Sequence, residues 1–309
     1  MKQDDSSLDP STAQRVRKQA DLLLRKAEAY GRFPTPVSDL VTASALEIAR
    51  ENALDSVYLG SLYRLLPNSL KIAPDRLKKA LGKVIGVLDR GSRTIHLDRD
   101  LHPKKVPFVT VHEIGHDFLP WQRQTYEILE DSKTELEPDT RDRYEREANS
   151  FASDVLFQLD GFTTEAADHK FGIGTPLDLS KRYGTSIYSA IRRYVTTNDR
   201  ACALLVFNRL EVVPGCAPKL ALRRPFSSLA FAARFGEVAW PKTCAPETFF
   251  YQNMPKSKFT PPTTCVVPDL NGTQVECIAE AFDNTYQIFF LIYPLVAMPR
   301  RAGLVFASQ

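Results

Sequence analysis

The segment from Pro107 to Pro120 constrains this chain more than any other. Phe108, Val109, Val111, Ile114, Phe118 and Leu119 put apolar surface on nearly every side of a helix that Pro107 suits as a first turn and Pro120 stops. A helix of that kind belongs in an interior. Its middle nevertheless reads His112-Glu113-Ile114-Gly115-His116, and two buried imidazoles are costly to desolvate unless something satisfies them. Positions i and i+4 share one helix face, so both rings can reach a single metal ion while Glu113 leans toward the water to be activated. The pattern predicts a zinc site with His112 and His116 as ligands and Glu113 as catalytic base. The bland alternative is a pair of hydrogen-bonded core histidines, so a third ligand is required.

Arg141 to Leu156 reads as a second amphipathic helix, with Tyr144, Ala148, Phe151, Ala152 and Val155 at helical spacing. Glu145 lies nearer that stripe than Glu147 and is the expected third ligand, with Asn149 one turn on as a hydrogen-bonding support. The rivals Glu127, Glu130, Asp131, Glu135 and Glu137 fall in a stretch, Gln122 to Asp139, that reads as a polar connector. A side chain to stabilise a tetrahedral oxyanion does not stand out; Tyr126, Tyr144 and His169 are the candidates.

His112-Glu113-x-x-His116 followed by Glu145-x-x-Ala148-Asn149-x-Phe151-Ala152 resembles the ImmA/IrrE family of metallo-endopeptidases in order and spacing. The likeness runs from about residue 12 to 196. It takes in a helix at Gln14 to Leu24 and a hairpin at Val87 to Leu97; it departs at Val155-Leu156-Phe157-Gln158, where the family often has Leu-Met-Pro. The resemblance implies a mainly helical, zincin-like peptidase domain that makes one cut in a helix-turn-helix repressor, relieving stress, mobile-element or phage-defence genes. A CapP-like, phage-defence-associated branch is the nearest expectation.

The rest of the chain supports an α+β protein. Its 309 residues and 43% apolar content suit two domains. Residues 12–30 read as a basic amphipathic helix, and Val37 to Asn52 as a second after the break at Pro34 to Pro36. Leu177 to Tyr194 reads as two helices about a glycine turn, a helix-turn-helix-like segment whose Lys181, Arg182, Arg192 and Arg193 could meet phosphates, although lone helical hairpins are more often packing elements. From residue 201, short apolar runs at Ala201 to Asn208, Leu220 to Leu222, Val275 to Phe282 and Tyr286 to Val296 alternate with proline-rich breaks, a strand-rich texture. The resemblance implies a GAF-like sensor there. The expected domains are 1–160 (peptidase with N-terminal helices), 161–199 (helix-turn-helix-like) and 200–309 (GAF-like).

Residues 200–309 hold 11 Lys+Arg against 7 Asp+Glu, interleaved with aromatics from Phe226 to Phe259. Basic grooves with aromatic platforms bind single strands, so single-stranded DNA is the expected activator, although most of those rings should be core. Five cysteines, all beyond residue 200 and with no Cys-x-x-Cys, argue against a disulfide framework and a thiolate zinc site. No signal-peptide-like run opens the sequence, and Ile288 to Pro294 is too short to cross a bilayer, which predicts a cytoplasmic protein with no membrane partner. The competing reading is a non-proteolytic DNA- or ligand-binding regulator with structural zinc. An intact Glu113 beside only three ligands argues against it, since closed sites carry a fourth.

Overall fold

The computed structural model describes residues 7–49, 86–98, 101–132, 136–208 and 219–295. It separates into two units, Met1–His169 with Leu177–Ala190, and Lys170–Pro176 with Ile191–Gln309.

In the first unit, α1 (Pro10–Lys26) is capped by Asp9, whose carboxylate accepts from the Ser11 and Thr12 N–H groups, and it buries Val16, Ala20, Leu23 and Leu24 along one stripe. The helix expected over 37–52 is much shorter. α2 (Val37–Ala43) stops where Ala45 takes φ +54, and β1 (Glu47–Ile48) follows; the expected end at Asn52 lies outside the described residues. β2 (Gly86–Asp89) and β3 (Thr94–Leu97) form the expected hairpin, and β1 pairs parallel with β3. Asp89 Oδ1 accepts from the N–H groups of Gly91 and Ser92 and so fixes the hairpin turn.

α3 (Val106–Phe118) is the buried helix that the apolar segment requires: Val109 to Val111 and Glu113 to Asp117 are all buried. It packs against α5 (Pro138–Leu156), and Gly115 sets how closely. A Cβ there would lie 3.1 Å from Phe151 Cδ1 and 3.4 Å from the Ala148 Cα, so the bare glycine lets the two helices approach. Ile114, Phe151, Ala152 and Val155 join α1 in one core, where each fully buried large apolar side chain contributes about 1.5–3 kcal/mol. The stretch expected to be a connector is instead largely a helix, α4 (Pro120–Ser132). Its Gln122 is fully buried and its Trp121 packs on the core under the Arg15 guanidinium, 4.2 Å from the ring centre. Burial of this first turn outweighs the polar composition further along.

At the end of α5, Gln158 takes φ +49 and ties down the loop after α1. Its Oε1 accepts from Gly31 N–H at 2.8 Å, and its Nε2 donates to the Arg32 carbonyl at 2.8 Å. α6 (Gly161–Ala167), α7 (Gly174–Arg182) and α8 (Ile187–Thr196) follow. Gly184, in the turn between the last two, sits at φ +65 with its missing Cβ 2.7 Å from Pro34 Cβ, so no other residue fits. Lys181 pairs with Asp178 and Arg182 with Glu165, which occupies two of the four cations expected to face phosphates.

The second unit is strand-rich, as its sequence texture implies. β4 (Ala203–Asn208), β5 (Leu220–Ser227), β6 (Thr243–Cys244), β7 (Phe259–Pro268), β8 (Gln274–Asp283) and β9 (Gln287–Pro294) form one antiparallel sheet in the order β6-β5-β4-β9-β8-β7. The central β4 and β9 are apolar nearly throughout because both faces are covered. Pro261, Pro262 and Pro268 fall on β7, at the end of this order, with a register break across the first two, because proline cannot donate to a ladder. The short helices α9 (Leu229–Phe235) and α10 (Phe249–Gln252) close one face.

Phe231, Phe235 and Phe250 lie in this core, with Trp240 and Phe249 packed against it, so most of the aromatics interleaved with basic residues are packing. Cys202, Cys244, Cys265 and Cys277 are free thiols, and Cys216 lies outside the described residues. Burial pushes the thiols of Cys202 and Cys265 up to about 12 and that of Cys277 to about 11, which leaves them poor nucleophiles. Among the described residues, no helix is long and apolar enough to cross a membrane.

Candidate metal centre

α3 and α5 bring His112, His116 and Glu145 together. One nitrogen or oxygen from each lies within 4.8 Å of the others. The two Nε2 atoms are 3.1 Å apart, His112 Nε2 is 3.3 Å from Glu145 Oε2, and His116 Nε2 is 3.7 Å from Glu145 Oε1. Two imidazoles and a carboxylate are the donor set of a catalytic zinc site, and three lone-pair atoms facing one small volume fit a divalent cation.

The tautomer of His116 agrees with that fit. Its Nδ1 is 2.8 Å from Gln122 Oε1, while Gln122 Nε2 donates to Glu147 Oε2 at 2.7 Å and to the Tyr144 carbonyl at 3.2 Å. With the amide nitrogen facing two acceptors, the oxygen must face the histidine, so Nδ1 carries the proton and Nε2 keeps its lone pair for a metal. Trp121 Nε1 also donates to Glu147 Oε2, at 2.7 Å. α4 thereby holds a ligand of α3 through a carboxylate of α5.

Glu147 is thus more deeply buried than Glu145, their side chains being 4% and 27% exposed. The apolar stripe pointed to the side chain that joins the histidines, but the burial behind that expectation belongs to Glu147, which is spent on Gln122 and Trp121. Of the rivals, Glu127 is exposed and paired with Arg123, and Glu137 is exposed at the start of α5. The side chains of Glu130, Asp131 and Glu135 lie outside the described residues.

The ionisable groups of the site shift one another. Burial lowers the His112 pKa, but the hydrogen bond it donates to Glu145 and the charge of Glu113 outweigh it and hold it above its ordinary range, with Asn149 adding a further bond. Burial and the neighbouring His112 charge bring His116 down to about 4. Burial opposes ionisation of Glu145, yet the bond to His112 and the two histidine charges keep its pKa low. Glu113 is the opposite case, since burial raises it against the charges of His112 and Arg90. Its neighbours are Gly86, whose missing Cβ would lie 3.0 Å from Glu113 Oε1, and Leu88, whose backbone hydrogen bond favours the carboxylate.

Of the oxyanion candidates, Tyr126 is at the site, its ring edge-on to His116 with centroids 6.3 Å apart, and the Arg90 guanidinium lies 3.9 Å above that ring. The Tyr144 hydroxyl is hydrogen-bonded to Thr125 Oγ1 at 2.8 Å, and His169 is exposed. Sequence reasoning missed Gln122, Glu147, Trp121 and Arg90. The usable signal was the Pro120 break followed at once by Trp121-Gln122, which marks a new helix turning back over the first. Replacing Gln122 with Leu is expected to weaken zinc affinity about 10–100-fold with the fold retained; competition against a chromophoric chelator measures it, and unchanged affinity would remove Gln122 from the site.

The model of the "IrrE N-terminal-like domain" peptidase family matches residues 71–194, a span that contains every residue of the centre. The "Metallopeptidase ImmA" of Bacillus subtilis (strain 168) is 32% identical over 84 residues, 26% of this chain and 46% of that protein, so the chain spans about half the length of this relative. A solved "Mycobacterium tuberculosis transcriptional regulator" overlays 91% of this chain and 81% of its own with a TM-score of 0.41 at 13% identity, a likeness too weak to bear on fold or function. Residues 71–194 are thus similar to the peptidase domain of the ImmA/IrrE metallopeptidases.

Proposed function

We propose that this chain is a zinc-dependent, site-specific endopeptidase that cleaves a helix-turn-helix transcriptional repressor and so derepresses stress, mobile-element or phage-defence genes. One observation carries the reading: His112, His116 and Glu145 converge within 4.8 Å while Glu113 is buried beside them on the same helix. When bound, zinc supplies Lewis acidity that polarises a peptide carbonyl and makes water acidic near neutral pH. The chain's own residues do the rest. His112, His116 and Glu145 hold the ion, and Gln122 keeps His116 in the ligating tautomer. Glu113 takes a proton from the attacking water and returns it to the leaving amine.

The likeness of residues 71–194 to the IrrE N-terminal-like domain supports a repressor substrate, and the part of the helix-turn-helix-like segment that lies in the first unit, residues 161–169 and 177–190, is read as part of the protease body. Residues 200–309 are read as a GAF-like sensor. What supports this is a six-stranded antiparallel sheet closed by short helices on one face. Single-stranded DNA is the proposed activating signal, on the excess of 11 Lys+Arg over 7 Asp+Glu there.

Incubating the full chain and zinc with a small helix-turn-helix repressor encoded beside it should give two fragments from one cut, abolished by a chelator. A repressor left intact by zinc-loaded protein, with and without single-stranded DNA, would sink the reading. Equal cleavage with and without DNA would remove only the signal.

A further inference from the structure

The second unit holds a cavity of about 590 Å³, within the roughly 300–1,000 Å³ range of small-molecule sites. Phe235, Trp240, Phe249 and Phe250 line it, and the fully buried Ile292 of β9 backs it. The aromatic wall is braced edge to face: Trp240 and Phe250 centroids are 6.3 Å apart at 70°, and Phe249 and Phe250 are 5.4 Å apart at 85°. Such a wall keeps its shape without a ligand.

One end is formed by the turn between β7 and β8. Leu270 N–H donates to the Arg234 carbonyl, and its Cδ2 lies 2.5 Å from where a Cβ on Gly236 would be, so the turn rests on the end of α9 because that residue is glycine at φ +66. Asp269 Oδ1 accepts from the Asn271 and Thr273 N–H groups at 2.8 and 2.9 Å, which fixes the turn. Leu270 and Val266, both lining residues, are 64% and 57% exposed, so the cavity has an apolar rim in contact with water.

Charge then selects the occupant. Glu237 and Asp269 line the cavity, and among the described residues no lysine or arginine does. Arg234, one residue before Phe235, has its guanidinium 5.3 Å from that ring's centre. An acidic lining inside a segment with a net excess of basic residues runs against the local composition. Aromatic rings beside carboxylates attract cations and neutral rings, and they exclude anions.

We infer that this cavity is a binding site for a small aromatic molecule that carries no negative charge. The full-length protein should bind thioflavin T, a cationic aromatic fluorophore, saturably and 1:1. It should bind the anionic fluorophore anilinonaphthalene sulfonate at least about 10-fold more weakly. Cys265→Trp, which fills the cavity from β7, should weaken thioflavin T at least about 10-fold, with circular dichroism confirming the fold. Glu237 is exposed, so Glu237→Lys leaves packing alone and should shift the preference toward the anion by about the same factor. Absence of saturable thioflavin T binding, equal affinity for both dyes, or a preference that Glu237→Lys does not move would each overturn the inference.

Discussion

Glu113→Gln is expected to lower repressor cleavage about 10²–10⁴-fold while the protein keeps its zinc and its fold. The substitution is nearly isosteric, and Glu113 sits among Val109, Gly86 and Leu88, where shape matters. A carboxamide oxygen can still accept the Leu88 hydrogen bond. The change also removes a buried charge rather than creating one, so no penalty for an unpaired ion arises. None of the three ligating atoms belongs to Glu113, so metal content by mass spectrometry should stay at one per chain. What is lost is the carboxylate proposed to take the proton of the attacking water. If zinc stays bound and the repressor is cut at the wild-type rate, Glu113 is not a catalytic base. The non-proteolytic regulator with a structural metal would then be the better account.

That test rests on the part of the molecule most legible in sequence. Two prolines bracket an all-round apolar segment, and no alternative to a buried helix was compatible with it, so the placement of His112, Glu113 and His116 followed from helical period alone. Legibility fell where side chains act across elements. Gln122 and Glu147 look like ordinary polar residues in a polar stretch, and only the return of α4 over α3 makes them neighbours of His116. Glu145, expected from the stripe of α5, lies beside the histidines, yet the deeper burial belongs to Glu147, and periodicity could not tell the carboxylate that meets the histidines from the one that is buried. In the second unit, β4, β8 and β9 announced themselves as apolar runs, whereas β7 was hidden by Pro261, Pro262 and its threonines. A strand at the end of the sheet order tolerates a composition that a central strand cannot. The helix expected over 37–52 failed for a similar reason: the main chain of Ser44 and Ala45 is held by a distant arginine, which no local pattern reveals.

Arg93 stands in the β2–β3 turn at φ +57. Its Nη1 and Nη2 grip Asp117 Oδ1 and Oδ2 at 2.9 and 3.0 Å, its Nη2 also donates to the Ser44 carbonyl at 2.8 Å, and its Nε donates to the Ala45 carbonyl at 3.1 Å. One guanidinium therefore joins the hairpin, the end of α2 and the residue that follows His116. Arg93→Met keeps the apolar stem but takes from Asp117, 4% exposed at its side chain, its two-point guanidinium partner and strips two carbonyls of their donor. Breaking a buried pair in this way costs about 3–5 kcal/mol; because the Arg93 side chain is 34% exposed and water can reach the gap, the lower end, about 3 kcal/mol, is expected in urea unfolding. Lysine should recover only part of this, since a single ammonium cannot span a carboxylate and two carbonyls at once. The pair can be separated from simple packing by a double variant. With Asp117→Leu added to Arg93→Met no charge is left buried, and stability should return to within about 1 kcal/mol of the parent. A single Arg93→Met variant as stable as the parent to within about 0.5 kcal/mol would mean that Asp117 finds water instead and that Arg93 does not hold the end of α3 in place.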